Sequence, residues 1–284
     1  MSKSLFESRN LAMETVRVTE AAALAAARLT GCGDERASDQ AAVEAMHRAL
    51  GGLEVDGVIR IGEGDKEEAP LLYTGEKAGS GNGPKMDLAL MPLEGPTIIA
   101  RGGPNALAVA AMTEEGGFFQ CPDVYMDKIA VGGGLPDGVV DLDAEPAENL
   151  KNMAKAKAVD VNDLSVCILD RPRHNKLIAK VRAVGARIIL IADGDLSGVI
   201  ATLLPDSGID AYMGIGGAPQ GVLAAAALAC VGGQMQGRLV LRDNDEKKRA
   251  RDRGIKDTDR KYTVQDMVKG DVSFAVTGVT GGVV

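Results

Sequence analysis

At 284 residues and 45% hydrophobic content the chain can bury the core of one large α/β domain or of two smaller lobes, which argues against disorder. Its 32 Lys and Arg against 40 Asp and Glu leave a net charge of −8, and aromatics make up 3% with no Trp, so neither a general nucleic-acid binder nor an anionic-membrane binder is expected. Two histidines, His47 and His174, are too few for a His-rich zinc site or a Ser-His-Asp triad, and Cys32, Cys121, Cys167 and Cys230 form no CxxC pair, as suits reduced thiols in a cytoplasmic protein.

Residues 11–29 are rich in Ala, Met, Glu, Arg and Leu and read as a helix stopped by Gly31 and Gly33, which puts Asp34 in a tight turn. A second helix is expected over 38–50, closed by Gly51-Gly52, and a short strand over 57–61 runs into Gly62-Glu63-Gly64. Residues 87–91 read as a buried strand that stops at Pro92-Leu93-Glu94-Gly95-Pro96, with Pro96 suited to a first helical position. Residues 105–112 are helical in character, and a Gly-rich passage follows at 132–134.

The second half is more regular. Residues 165–169 form a strand that ends in Asp170-Arg171-Pro172-Arg173-His174 before a helix over 175–183. The next strand, 186–191, ends in Asp193-Gly194-Asp195 before a helix over 196–204, and a third, 209–213, ends in a Gly-rich run before a helix over 221–230. Three βα units in series favour a parallel sheet, with ligands gathered beyond the carboxyl ends of its strands. The apolar run 222–231 is too short to span a bilayer, and the mixed-charge run 242–260 reads as a solvated helix or loop.

Asp34, Glu63, Glu94, Asp193 and Asp195 all stand at element ends beside glycine, where backbone can approach a ligand closely. Any one of them alone is more often a turn former or a cap. As a set they suit a hard cation, and two such ions can clamp the attacking and leaving oxygens of a phosphoryl transfer. Residues 214–221 could offer a cradle of backbone N–H groups at a helix start or be an ordinary strand-to-helix turn; Arg171 and Arg173 could grip a phosphate or make surface ion pairs.

Taken together, the segments 16–34, 38–46, IGEG (61–64), 69–76, PLEG (92–95), GGPNALAV (102–109), 122–132, LDRPRH (169–174), DGD (193–195) and 214–228 resemble the class II fructose-1,6-bisphosphatases, the bacterial branch of the metal-dependent, lithium-sensitive sugar-phosphatase superfamily. The resemblance runs nearly the whole length and implies a layered αβαβα fold, here with a parallel-sheet second half. The expected division is an N-terminal metal-site lobe, 1–160, and a C-terminal sugar-phosphate-binding lobe, 161–284, ending sooner than is usual for the family. It implies hydrolysis of fructose 1,6-bisphosphate to fructose 6-phosphate, in some members of sedoheptulose 1,7-bisphosphate, with Mn²⁺ or Mg²⁺, by a cytoplasmic homodimer or homotetramer of gluconeogenic or Calvin-type carbon metabolism.

Carried over by position, Asp34, Glu63 and Glu94 match metal ligands, and Glu94 also faces the scissile phosphate. Glu94, Gly95, Pro96, Tyr125, Arg171, Pro172, Arg173, Asp193, Gly194, Asp195 and Gly217 match substrate contacts, and Glu67 stands where an Asp tied to water activation is usual. Three further site positions depart from the pattern. Met91 replaces a ligand Asp, Gln220 a ligand Glu and Pro96 a Thr, so a soft thioether and a neutral amide stand where a hard cation wants carboxylate. Impaired activity is the expectation, and a catalytically inactive sugar-phosphate-binding or assembly subunit of the same fold is the alternative.

Overall fold

The computed structural model describes residues 9–282; Val283 and Val284, at the short C-terminus, lie outside the described residues. The chain divides into two compact units, the first running to Gln120 and completed by Val268–Gly282, the second comprising Cys121–Met267. The expected split at 160/161 therefore falls inside the second unit, ahead of a strand that belongs to the same sheet as residues 125–131.

In the first unit, α1 (Arg9–Ala27), α2 (Glu35–Leu50), β1 (Asp56–Ile61), β2 (Lys77–Ala78), β3 (Lys85–Glu94), α3 (Pro96–Arg101) and β4 (Leu107–Glu114) are joined at the end of the chain by β11 (Val272–Gly278). The strands lie in the order β11-β4-β3-β1-β2, and only the β1–β3 pair is parallel. One face of this sheet is covered by the two long helices. Val18, Ala22 and Ala26 of α1 and Ala42, Met46 and Leu50 of α2 form one core with Ile59, Leu88, Leu90, Ala108, Ala110 and Met112.

The segment read as helical, 105–112, is instead mostly strand β4 and the loop before it. Its alanines favour helix in isolation, but a strand between β3 and β11 satisfies its backbone on both edges, and all but its last residue are buried. Small residues at 108 and 110 also leave room for α1 to approach the sheet.

The second unit holds β5 (Tyr125–Val131), α4 (Pro146–Lys157), β6 (Ser165–Leu169), α5 (Asn175–Ala183), β7 (Arg187–Ile191), α6 (Asp195–Ala201), β8 (Ala211–Gly217), α7 (Ala218–Val231), β9 (Gln234–Val240), α8 (Asn244–Asp252), β10 (Tyr262–Thr263) and α9 (Val264–Met267). Strand order is β10-β9-β5-β8-β6-β7. The three expected βα units form, and β6 runs parallel to both β7 and β8. The sheet is mixed rather than parallel, because β5 precedes that series and pairs antiparallel with β8 on one side and β9 on the other, with β10 antiparallel at the edge. The fold is thus α/β with mixed sheets. Among the described residues no helix is long and apolar enough to cross a membrane.

Candidate functional site

In the first unit the turn carrying Asp34 is tied to α3. Gly31 N–H donates to the Ile99 carbonyl at 2.8 Å and Gly33 N–H to that of Ala100 at 3.0 Å, both glycines at positive φ. Asp34 itself caps α2: its Oδ1 accepts from Ala37 N–H at 2.9 Å, and the side chain is exposed. The cap reading of this residue therefore holds alongside any ligand role.

Glu94 ends β3 and is 5% exposed. Between Met91 and Glu94 the ladder slips against Val109 and Leu107, three residues on β3 answering two on β4. Leu90 and Leu93 both join the helix-side core, so this bulge turns Met91 and Glu94 away from it. Pro92 sits inside the bulge, where no ladder donor is required. Gly95 at φ +86° then caps α3, with Pro96 in its first turn.

Glu63 follows β1 in a loop held by its own backbone, with Glu63 N–H donating to the Leu72 carbonyl at 2.9 Å. Burial, followed by the charge of Asp39, pushes its carboxyl up to about 7. Burial also raises Asp39, on α2. Asp39 is a group the sequence reading passed over, although it lies in the family-like string 38–46. Glu67 is exposed in the turn that follows.

The second unit brings most of its expected residues together, while Pro172 and Gly194 are not among those lining the cavity. Tyr125, Arg171, Arg173, Asp193, Asp195, Gly217 and Gln220 line one cavity of about 450 Å³, to which Arg242 and Arg249 also contribute. The strand ends deliver them: β5 begins with Tyr125, Arg171 and Arg173 follow β6, Asp193 follows β7, and β8 ends at Gly217. Arg242 and Arg249 come from the run read as a solvated helix or loop; both are exposed, as that reading expects, and both also stand at the rim of the cavity, Arg242 just before α8 and Arg249 on it.

Lys128 was also missed. It is 1% exposed in β5, donates to the Gly217 carbonyl at 2.8 Å and forms an ion pair with Asp195, which is 8% exposed at the start of α6. The approach requires Gly216, where a Cβ would overlap the Asp195 carboxylate and crowd Lys128 Nζ. A lysine inside the apolar run of β5 is the sequence signal that announces a buried partner.

His174 is a structural residue. Its Nδ1 lies 2.7 Å from the Leu169 carbonyl, which can only accept, so Nδ1 carries the proton. Nε2 then accepts from Ile215 N–H at 2.8 Å, and burial holds the ring below its ordinary pKa, in the neutral form. Of the two readings left open for 214–221, a cradle or an ordinary strand-to-helix turn, the structure shows the strand-to-helix course: 214–217 belong to β8, Ile215 N–H goes to His174, Ala218 N–H donates to the Val124 carbonyl at 2.8 Å, and Pro219 has none.

The donor set does not fit a closed two-cation centre. Among the described residues no three His, Cys, Asp or Glu side chains converge on a point that could hold a metal ion. Taken unit by unit, Met91 in the first offers only a thioether and Gln220 in the second only a neutral amide, both poor donors for Mg²⁺ or Mn²⁺. Burial, joined for Glu63 by the charge of Asp39, raises both of these carboxyls and disfavours their charged forms. The buried thiols offer no substitute nucleophile, since burial pushes Cys121 and Cys167 up to about 12.

Residues 9–284 match the family described as bacterial fructose-1,6-bisphosphatase, glpX-encoded. The chain is 42% identical over 287 aligned residues to fructose-1,6-bisphosphatase 1 class 2 of Escherichia coli strain K12, covering 96% of this chain and 85% of the relative. The fructose-1,6-bisphosphatase class 2 proteins of Escherichia coli O6:H1 and of Shigella flexneri match it with the same 42% identity and the same coverage, 96% and 85%.

Proposed function

We infer the activity from one premise: the chain belongs to the bacterial class 2 fructose-1,6-bisphosphatase family. On that basis it is a phosphoric monoester hydrolase by descent that binds a sugar bisphosphate, fructose 1,6-bisphosphate being the reference substrate, and removes the 1-phosphate slowly. The observation that carries this reading is the contrast between the two sets of site residues. The arginine-lined cavity of the second unit is assembled, whereas the carboxylates of the first do not converge on a cation.

Within this reading Arg171 and Arg173 supply phosphate donors, and Asp193 and Asp195 accept from sugar hydroxyls. Lys128 holds Asp195 and the Gly217 carbonyl in place. Glu94 and Gly95, at the bulged end of β3, face the phosphate to be released, with Glu67 as the water-activating carboxylate. Weak turnover follows from Met91 and Gln220, which leave Asp34, Glu63 and Glu94 as the remaining charged ligand positions. Pro96 adds to the defect by removing a hydroxyl and a backbone N–H together.

Phosphate release from fructose 1,6-bisphosphate, measured across Mn²⁺ and Mg²⁺ concentrations, tests the reading. The expected result is low turnover that rises when Met91→Asp, Pro96→Thr and Gln220→Glu are made together. Full turnover by the unmodified chain at ordinary metal concentrations would remove the claim of impairment. A triple variant that stays inactive while still binding the bisphosphate favours the second reading, a non-catalytic sugar-phosphate-binding subunit, for which the retained arginines speak.

A further inference from the structure

We propose that β7, the open edge of the second unit's sheet, is where a second copy of this chain docks, strand against strand, across a twofold axis through Ile189. The proposal stands apart from the hydrolase reading.

β7 closes the strand order, with β6 as its one neighbour among the described residues. Arg187 N–H donates to the Leu164 carbonyl at 2.8 Å, and the Ile191 carbonyl accepts Asp170 N–H at 2.8 Å. Arg187, Ile189 and Ile191 therefore turn their backbone groups toward β6, and by the two-residue period Ile188 and Leu190 turn theirs to the open edge.

Nothing blunts that edge. The strand reads Arg-Ile-Ile-Leu-Ile, with no Pro and an unbroken register to β6. At the opposite edge of the same sheet, β10 is two residues long and follows Arg260-Lys261, short and charged as a protected edge is. Ile189 and Leu190 point to opposite faces and are 44% and 40% exposed. Apolar exposure on both faces at once calls for a strand, since a helix covers one face only.

A second copy satisfies this edge with the edge itself. Antiparallel pairing about Ile189 sets Ile188 opposite Leu190 of the second copy, and Leu190 opposite its Ile188, both as hydrogen-bonded pairs. Every outward N–H and C=O of these residues then meets its complement. The side chains agree: Ile189 faces its own counterpart on one side of the sheet, and Leu190 faces Ile188 on the other. Charge fits the direction as well. Arg187 opens β7 and Asp193 follows its end, so the axis brings the basic start of one strand toward the acidic end of the other.

Sedimentation velocity and light scattering on the purified full chain, from micromolar to submillimolar concentration, test the pairing. The unmodified chain is expected to associate. Ile189→Lys sets two ammonium groups face to face on the axis and is expected to weaken that association about 10-fold or more. Ile189→Thr keeps a β-branched residue at the edge and should fall between the two, which preserves the test if the lysine variant misfolds. Far-UV circular dichroism and the urea midpoint report folding.

Cross-linking reads the register, in a Cys32→Ser, Cys230→Ser background that removes the exposed native thiols. A non-hydrogen-bonded antiparallel pair holds its Cα atoms about 4.5 Å apart, so Ile189→Cys is expected to give a covalent dimer with oxidised glutathione as oxidant. Ile188→Cys meets its counterpart only on the diagonal, about 7–8 Å away, and should stay unlinked. A chain that is monomeric throughout, an assembly that Ile189→Lys leaves unweakened, or a link at 188 and not at 189 overturns the proposal. The first result leaves the edge to a strand of another protein, and the second puts the assembly on a different face. Turnover of the triple variant decides the hydrolase reading and has no bearing on these outcomes.

Discussion

Replacing Lys128 with Met removes an ammonium from the interior while keeping a stem of similar length. Lys128 is 1% exposed, and its charge meets Asp195, itself 8% exposed, and the Gly217 carbonyl. The variant leaves a carboxylate buried with no cation beside it, which costs about 3–5 kcal/mol when one member of a buried pair is lost. Hydrogen exchange resolves the loss by unit, and amides of β5, β8 and α6 that exchange by global opening of the second unit are expected to speed by about 10²- to several times 10³-fold. Adding Asp195→Asn to the Lys128→Met chain should restore at least half of the loss, since the stranded charge is then gone. A single variant that costs under about 1 kcal/mol, or a double variant no more stable than the single, would refute the ion-pair account.

Asp34→Ala should lower the thermal midpoint through loss of the α2 cap, about 1 kcal/mol, whereas Asp34→Asn keeps an acceptor for Ala37 N–H and should stay within a few tenths. Equal losses in the two would show that the charge and not the cap is what matters. His174 binds its proton more weakly in the folded chain than in the unfolded one, so its contribution is present above the ordinary histidine pKa and is lost as pH falls through the depressed value. Urea midpoints taken from pH 8 down to pH 5 should therefore drop more steeply for the unmodified chain than for His174→Gln; matching profiles would contradict the assigned tautomer. Gly216→Ala is expected to destabilise by about 1–3 kcal/mol because its Cβ overlaps Asp195, while Gly281→Ala, with open space around it, should stay within about 0.5 kcal/mol in the same thermal melts.

Much of the candidate site was legible because strand ends carry their own punctuation. Arg171, Arg173, Asp193, Asp195 and Gly217 follow apolar runs and precede helices, so their gathering at one cavity needed only the βα succession. Arg242 was hidden in a run of both signs, where nothing local separates a solvated arginine from one stacked on Tyr125. The glycines at 214, 216 and 217 left a phosphate cradle and an ordinary turn equally open in the sequence. In the structure two of them make room, Gly214 for the His174 ring and Gly216 for the Asp195 carboxylate, while all three lie in the β8 ladder.

The sequence by itself determined the family, the βα series from β6 to α7, and the thioether at Met91 and neutral amide at Gln220, because each of these is a property of residue order and chemical type. Only the tertiary structure decided that the alanines at 108, 110 and 111 lie in a strand, that β5 runs against its neighbours β8 and β9, and that Lys128 holds Asp195. The reason is the same in each case. An alanine run, a strand direction and a buried charge are settled by partners far away in the chain, through backbone pairing and desolvation that no local window of residues contains.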